Sequence, residues 1–255
     1  MNRALSKFCK EEYERFRTNL IHDWGVPEAK INSHDQRLRS VHKRYLSLAC
    51  VASVTPKKKG IKEFLRGVVE AGYLSQVLAA RGLENPALVL LRQTIEQTLK
   101  HIYLSFHPVE YSWVCSRVAY RELSFQMLLD FVRKTDEHND LLRYHMNLCE
   151  KLDELFGELS RHVHVHSRDF MGYLRIGSKA APSAPILKRL DSLTRRLWPL
   201  LVLMITVFFP EAYHAAQTNE RNLILNCLSC DQRRFLHRHS SENPESRYKL
   251  GRILP

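Results

Sequence analysis

The chain has 255 residues, 44% of them hydrophobic, and only nine glycines. That glycine share is about half the usual ~7%, which excludes collagen-like and Gly-rich β architectures, and the apolar content excludes a disordered chain. Lys plus Arg outnumber Asp plus Glu by 39 to 27, a formal net charge of +12. A surface this basic favours polyanions such as RNA, DNA or anionic membrane, and leaves the fold open. Thirteen histidines add charge at mildly acidic pH.

Taken in chain order, the pattern predicts helices throughout. Residues 3–20 form a charged amphipathic helix with Leu5, Phe8, Phe16 and Leu20, broken at Trp24-Gly25-Val26-Pro27. A second helix covers 35–53 and ends at Thr55-Pro56 and the basic run Lys57-Lys58-Lys59-Gly60. That run reads as a solvated loop, with RNA contact as the sharper alternative. Residues 61–81 follow the 3.6 period through Phe64, Leu65, Val68 and Val69, and Gly82 with Asn85-Pro86 marks a stop and a new start.

The next helix, 86–106, is the cleanest. Leu88, Leu91, Ile95, Leu99, Ile102 and Phe106 form its apolar stripe. Arg92, Glu96 and Lys100 step by four beside it, either as a solvated ladder of ion pairs or as the lining of a polar pocket. Helices over 109–134 and from about 138 to 160 follow, the second with Leu148, Leu152, Leu155 and Leu159 on one side. A loop covers 167–185, and an apolar helix covers 186–208. Its run Leu197 to Phe209 is well short of the ~20 residues that span a bilayer, so a buried core or dimer-interface helix is expected and no membrane span. One or two short helices and a basic tail from about 240 complete the chain. The fold class is all-α. The first twenty residues lack an apolar leader pattern, and most of the six cysteines sit in apolar helical patterns, so a reducing cytoplasmic compartment is expected.

The most unusual local sequence is Glu158-Leu159-Ser160-Arg161-His162-Val163-His164-Val165-His166-Ser167-Arg168, where a leucine-striped helix meets a loop. Three readings compete. His and Arg complement a helix C-terminus, which accounts for one or two of these residues but not five. His162, His164 and His166 share one face of an extended segment, a pattern open to metal, although no HExxH or DxD-type partner is nearby. The third reading is metal-free phosphodiester chemistry. Histidine takes or gives the proton near neutral pH, and a fixed guanidinium stabilises charge on the phosphate oxygens.

Arg161-His162-Val163-His164-Val165-His166 resembles the R-x4-H form of the Rx4-6H motif of the HEPN superfamily, with His162 at the position that is often polar there. Glu96 and Lys100 resemble the E-x3-K element of some HEPN families. The resemblance covers about residues 60–210. It implies a HEPN-like helical bundle over 56–210, with an N-terminal helical extension over 1–55 and a C-terminal segment and basic tail over 211–255. It also implies a metal-independent endoribonuclease that needs no cofactor, acts as a homodimer, and serves as a toxin or anti-phage effector under an antitoxin or defence-complex partner. His166 would then be the general acid/base and Arg161 the phosphate binder. His162 joins them in the catalytic set, His164, Glu96 and Lys100 are auxiliary, and Arg168 with Lys57, Lys58 and Lys59 contacts RNA. On an ideal helix, residues five apart stand about 140° from each other. Arg161 and His166 therefore converge only if the helix breaks between them or two chains share the site.

Two alternatives stay open. One is a non-catalytic helical module that binds nucleic acid or a partner protein. The other is a metal-dependent hydrolase built on His162, His164 and His166. Near the C-terminus, Cys227 and Cys230 precede His237 and His239. An inert pair of helical cysteines is expected there, with a small zinc clip as the alternative.

Overall fold

The computed structural model describes residues 3–55, 62–116, 123–135, 147–161 and 183–241. Every regular element among these is an α-helix: α1 (Arg3–His22), α2 (Glu28–Asn32), α3 (Asp35–Val54), α4 (Lys62–Ala80), α5 (Glu84–Phe106), α6 (Pro108–Ser116), α7 (Phe125–Thr135), α8 (Leu148–Ser160), α9 (Ala184–Phe208), α10 (Pro210–Ala215), α11 (Thr218–Cys227) and α12 (Cys230–Ser241). The protein is all-α, as the composition implies.

The apolar stripes explain most of the packing. Leu88, Leu91, Ile95, Leu99 and Ile102 of α5 are all buried, as are Leu148, Leu152, Leu155 and Leu159 of α8. In α1 the inward stripe is Leu5, Cys9, Tyr13, Phe16 and Leu20. Phe8, expected on that face, is 44% exposed, and Phe106, expected to close the α5 stripe, is 42% exposed. The Leu197–Phe209 run forms the centre of the molecule. Leu197 to Val207 are buried on every side of α9, and no helix among the described residues is long and apolar enough to cross a membrane. Pro199 lies inside α9 without ending it. It removes one N–H from the ladder, a loss that burial of the surrounding leucines offsets.

Local chemistry sets several boundaries. Gly82 adopts φ +77° after α4. Its N–H reaches Ala79 O at 3.0 Å, and Leu83 N–H reaches Leu78 O at 2.8 Å, the bond pattern of a Schellman stop. The single helix expected over 109–134 is instead two, because Leu123 and Ser124 are not helical and Ser124 Oγ accepts the N–H of Met127 at the start of α7. The short α2 carried no periodic signal in five residues.

Three contacts fix helix directions. Arg189 Nη1 meets Glu84 at 3.0 Å at one end of α5 and α9, and the Phe106 and Phe208 rings meet at 6.1 Å at the other, so these helices run parallel. Phe125 stacks on Phe156 at 3.6 Å, and Phe131 lies 5.2 Å from Tyr103, so α7 runs in the α5 direction. Arg133, further along α7, reaches back to Asp153 at 3.9 Å, which sets α8 antiparallel to both. The terminal segments share this core. Arg44 of α3 pairs with Asp191 and bonds Thr194 Oγ1 of α9 at 3.3 Å, and Ser47 Oγ donates to Leu223 O of α11 at 2.9 Å. One cluster of buried side chains runs from Leu5 to Leu236.

Candidate functional site

Arg161 caps α8 with helical backbone angles, φ −59° and ψ −21°, so the helix has not broken when it reaches the motif. Its side chain is exposed. Its neighbours on the surrounding helices are otherwise engaged. Arg92 holds Glu96 at 2.8 Å, Arg189 holds Glu84, Arg195 holds Asp191 at 3.0 Å, and Arg196 holds both Glu154 at 3.0 Å and Glu158 at 2.9 Å. Arg161 forms no ion pair with any described residue. An exposed guanidinium without a carboxylate presents its full set of donors to an incoming anion, and its planar fork matches a phosphate.

The last two turns of α8 are gripped from three sides. Phe156 stacks on Phe125 of α7, with 2° between the rings. Arg92 of α5 lies 4.6 Å over the same ring. One face is filled by Phe125, so the guanidinium takes the other. Arg196 of α9 spans Glu154 and Glu158, one turn apart on α8. Ser160 Oγ donates to Phe156 O at 2.6 Å and closes the final turn. Beneath these contacts Leu152, Leu155 and Leu159 are buried.

The polar stripe of α5 does not reach Arg161. Phe156 is level with Arg92, and α8 runs the opposite way, so Arg161 comes level with about residue 87 of α5. At 1.5 Å per residue, Glu96 is displaced from it by roughly 13 Å along the axis and Lys100 by roughly 20 Å. The antiparallel course of α8, invisible in the spacing, sets this displacement. Glu96 pairs with Arg92 and not with Arg161, and the histidines that Glu96 and Lys100 were expected to assist lie outside the described residues.

His162, His164, His166 and Arg168 lie outside the described residues, as do Lys57, Lys58 and Lys59. Of the residues flanking the lysine run, Glu63 of α4 lies close enough to Tyr111 of α6 to act on it electrostatically, which places it at the end of the bundle where α5 and α9 finish. Arg161 belongs to the opposite end.

The C-terminal cysteines separate. Cys227 faces Ser47 and Arg44 of α3, and burial pushes its thiol up to about 12. Cys230 is exposed. Such a Cys227 is a protonated, inert thiol at neutral pH. Among the described residues no group of three or more His, Cys, Asp or Glu side chains is placed to hold a metal, and the His239 side chain falls outside that set.

Sequence reasoning missed the role of Glu154, Arg196, Phe125 and Phe156. The signal was partial: Glu154 and Glu158 are one helical turn apart just before the motif, a spacing that one guanidinium can span. Comparison of the chain with protein-family models, with curated proteins and with solved structures found no match.

Proposed function

We propose that the protein is a metal-independent endoribonuclease of the HEPN type. The observation that carries this reading is Arg161, an exposed guanidinium in no ion pair with any described residue, which opens the R-x4-H string at the end of α8, while Arg92, Arg189, Arg195 and Arg196 nearby are tied to carboxylates. The all-α architecture and the net charge of +12 support it.

In this scheme an RNA 2′-hydroxyl attacks the adjacent phosphorus. A histidine base, His166 or His162, takes its proton. The bond from phosphorus to the 5′-oxygen breaks, and an imidazolium returns a proton to that oxygen. The products carry a 2′,3′-cyclic phosphate and a 5′-hydroxyl. Arg161 binds the non-bridging oxygens and stabilises their developing charge. Arg161 and His166 stand five residues apart, so two copies of the chain facing each other supply the pair that one straight helix does not. His164 is auxiliary to this pair, and Arg168, Lys57, Lys58 and Lys59 are further RNA contacts in the proposal. The cellular role is that of a toxin or anti-phage effector, held by a partner protein in the cytoplasm until triggered.

The test is RNA cleavage in EDTA by wild type and His166→Ala, with analysis of the product ends. Cleavage by wild type alone, leaving cyclic phosphate, is expected. Salt-sensitive binding without cleavage by either protein would instead favour a nucleic-acid-binding module. Activity that vanishes with chelator would favour a metal hydrolase.

A further inference from the structure

We infer that Arg196 is a positioning residue for Arg161, acting through Glu154 and Glu158. This rests on the endoribonuclease reading and assigns a part to a residue outside the R-x4-H string. Arg196 leaves α9 and places one terminal nitrogen on Glu158 Oε2 at 2.9 Å and the other on Glu154 Oε1 at 3.0 Å. A guanidinium shared between carboxylates at i and i+4 resists rotation of that turn about its axis, because turning the helix lengthens one bond or the other. Arg161 follows three residues after Glu158, so its side-chain direction is set by this rotation.

The opposite side of α8 is held in a comparable way. Arg92 lies against Phe156 and is fixed by Glu96. Its buried Nε has no hydrogen-bond partner among the described residues. Held by Glu96 and laid against the Phe156 ring, Arg92 braces this side of α8. The buried leucines hold α8 in the bundle, and the two arginines set the angle at which its last turn is presented.

The alternative role for Arg196 is direct RNA contact, since its side chain is 41% exposed. The double variant Glu154→Gln/Glu158→Gln separates the two. It removes the carboxylates, keeps Arg196 and makes the protein more basic. If Arg196 positions Arg161, binding to a fully 2′-O-methylated RNA stays the same or tightens. Single-turnover cleavage of the unmodified RNA then falls at least about tenfold, toward the ~100-fold that a 1 Å misplacement costs. If Arg196 merely contacts RNA, freeing it leaves cleavage at or above the wild-type rate, which overturns the inference. A parallel loss of binding, cleavage and melting temperature also overturns it, because that pattern belongs to a purely structural contact. Arg196→Lys is the second variant: it keeps the charge, cannot hold both carboxylates as a fork, and is expected to lose cleavage but not affinity. Absence of cleavage by the wild type itself would overturn the endoribonuclease reading, a result distinct from an active wild type beside an equally active Gln pair.

Discussion

His42 makes the stability of the bundle depend on pH in a way that a single substitution isolates. The imidazole is 3% exposed, stacks on Phe16 at 4.4 Å and lies among Tyr13 and Tyr45. Gln76 Nε2 donates to Gly72 O at 3.0 Å, which turns Gln76 Oε1 toward His42 Nδ1 at 3.2 Å and assigns the proton to Nδ1. Burial lowers its pKa to about 4. In the unfolded chain the group titrates near ~6.5. Between these values the unfolded state binds the extra proton, so stability is complete above the unfolded value and is lost as pH falls toward the folded one. At pH 4.5 the expected loss from this residue is about 2 kcal/mol relative to pH 7. Urea unfolding at both pH values, on wild type and His42→Gln, measures it as a difference of differences that cancels the other twelve histidines. The variant is expected to be less stable at pH 7 but to lose about 2 kcal/mol less on acidification. Equal losses in the two proteins would refute the reasoning.

Three further outcomes follow from the core and the thiols. Leu201→Ala in the centre of α9, where the side chain is fully buried, should cost about 3 kcal/mol in urea unfolding; a change below ~1 would mean α9 is not central. Trp198 is fully buried and its indole N–H has no partner among the described residues, so Trp198→Phe should cost less than about 2 kcal/mol, whereas Trp198→Ala should cost roughly 3–5; similar costs would contradict the unsatisfied donor. A thiol reagent at pH 8 should modify Cys115 and Cys230 quickly. Cys50 and Cys227, whose thiols burial pushes up to about 12, and the buried Cys9 and Cys149 should react slowly, and rapid reaction of Cys227 together with Cys230 would contradict their separation.

The helices were largely legible because their stripes are long. The leucines of α8 and the five inner residues of α5 were all readable, since a 3.6-residue period repeated over several turns has one buried solution. The end of each stripe was less readable. Phe106 closes the α5 pattern but sits at the helix terminus, where Phe131 and Phe208 cover only part of its ring and 42% of it stays exposed. The break at Leu123 and Ser124 lay in a stretch with neither Gly nor Pro, and the serine that starts α7 is a signal that many helix interiors also contain. At the candidate site, the Arg161 string was visible as composition. The ion pairs around it depend on which helices lie side by side and in which direction, and the stripe Arg92, Glu96 and Lys100 gives no hint that its first member stacks on Phe156 and its second turns away from Arg161. Helix direction is set by long-range packing, which local spacing does not encode.

The central claim is that Arg161, exposed and in no ion pair with any described residue, meets the phosphate. The measurement that tests it is single-turnover RNA cleavage in EDTA by Arg161→Ala beside Arg195→Ala. Each variant removes one exposed positive charge, and Arg195 is already paired with Asp191. The account predicts a loss of ~10²–10³-fold for Arg161→Ala, the scale of one donor to developing charge, and a rate close to wild type for Arg195→Ala. Equal effects of the two variants would show that only overall charge matters and would contradict the assignment.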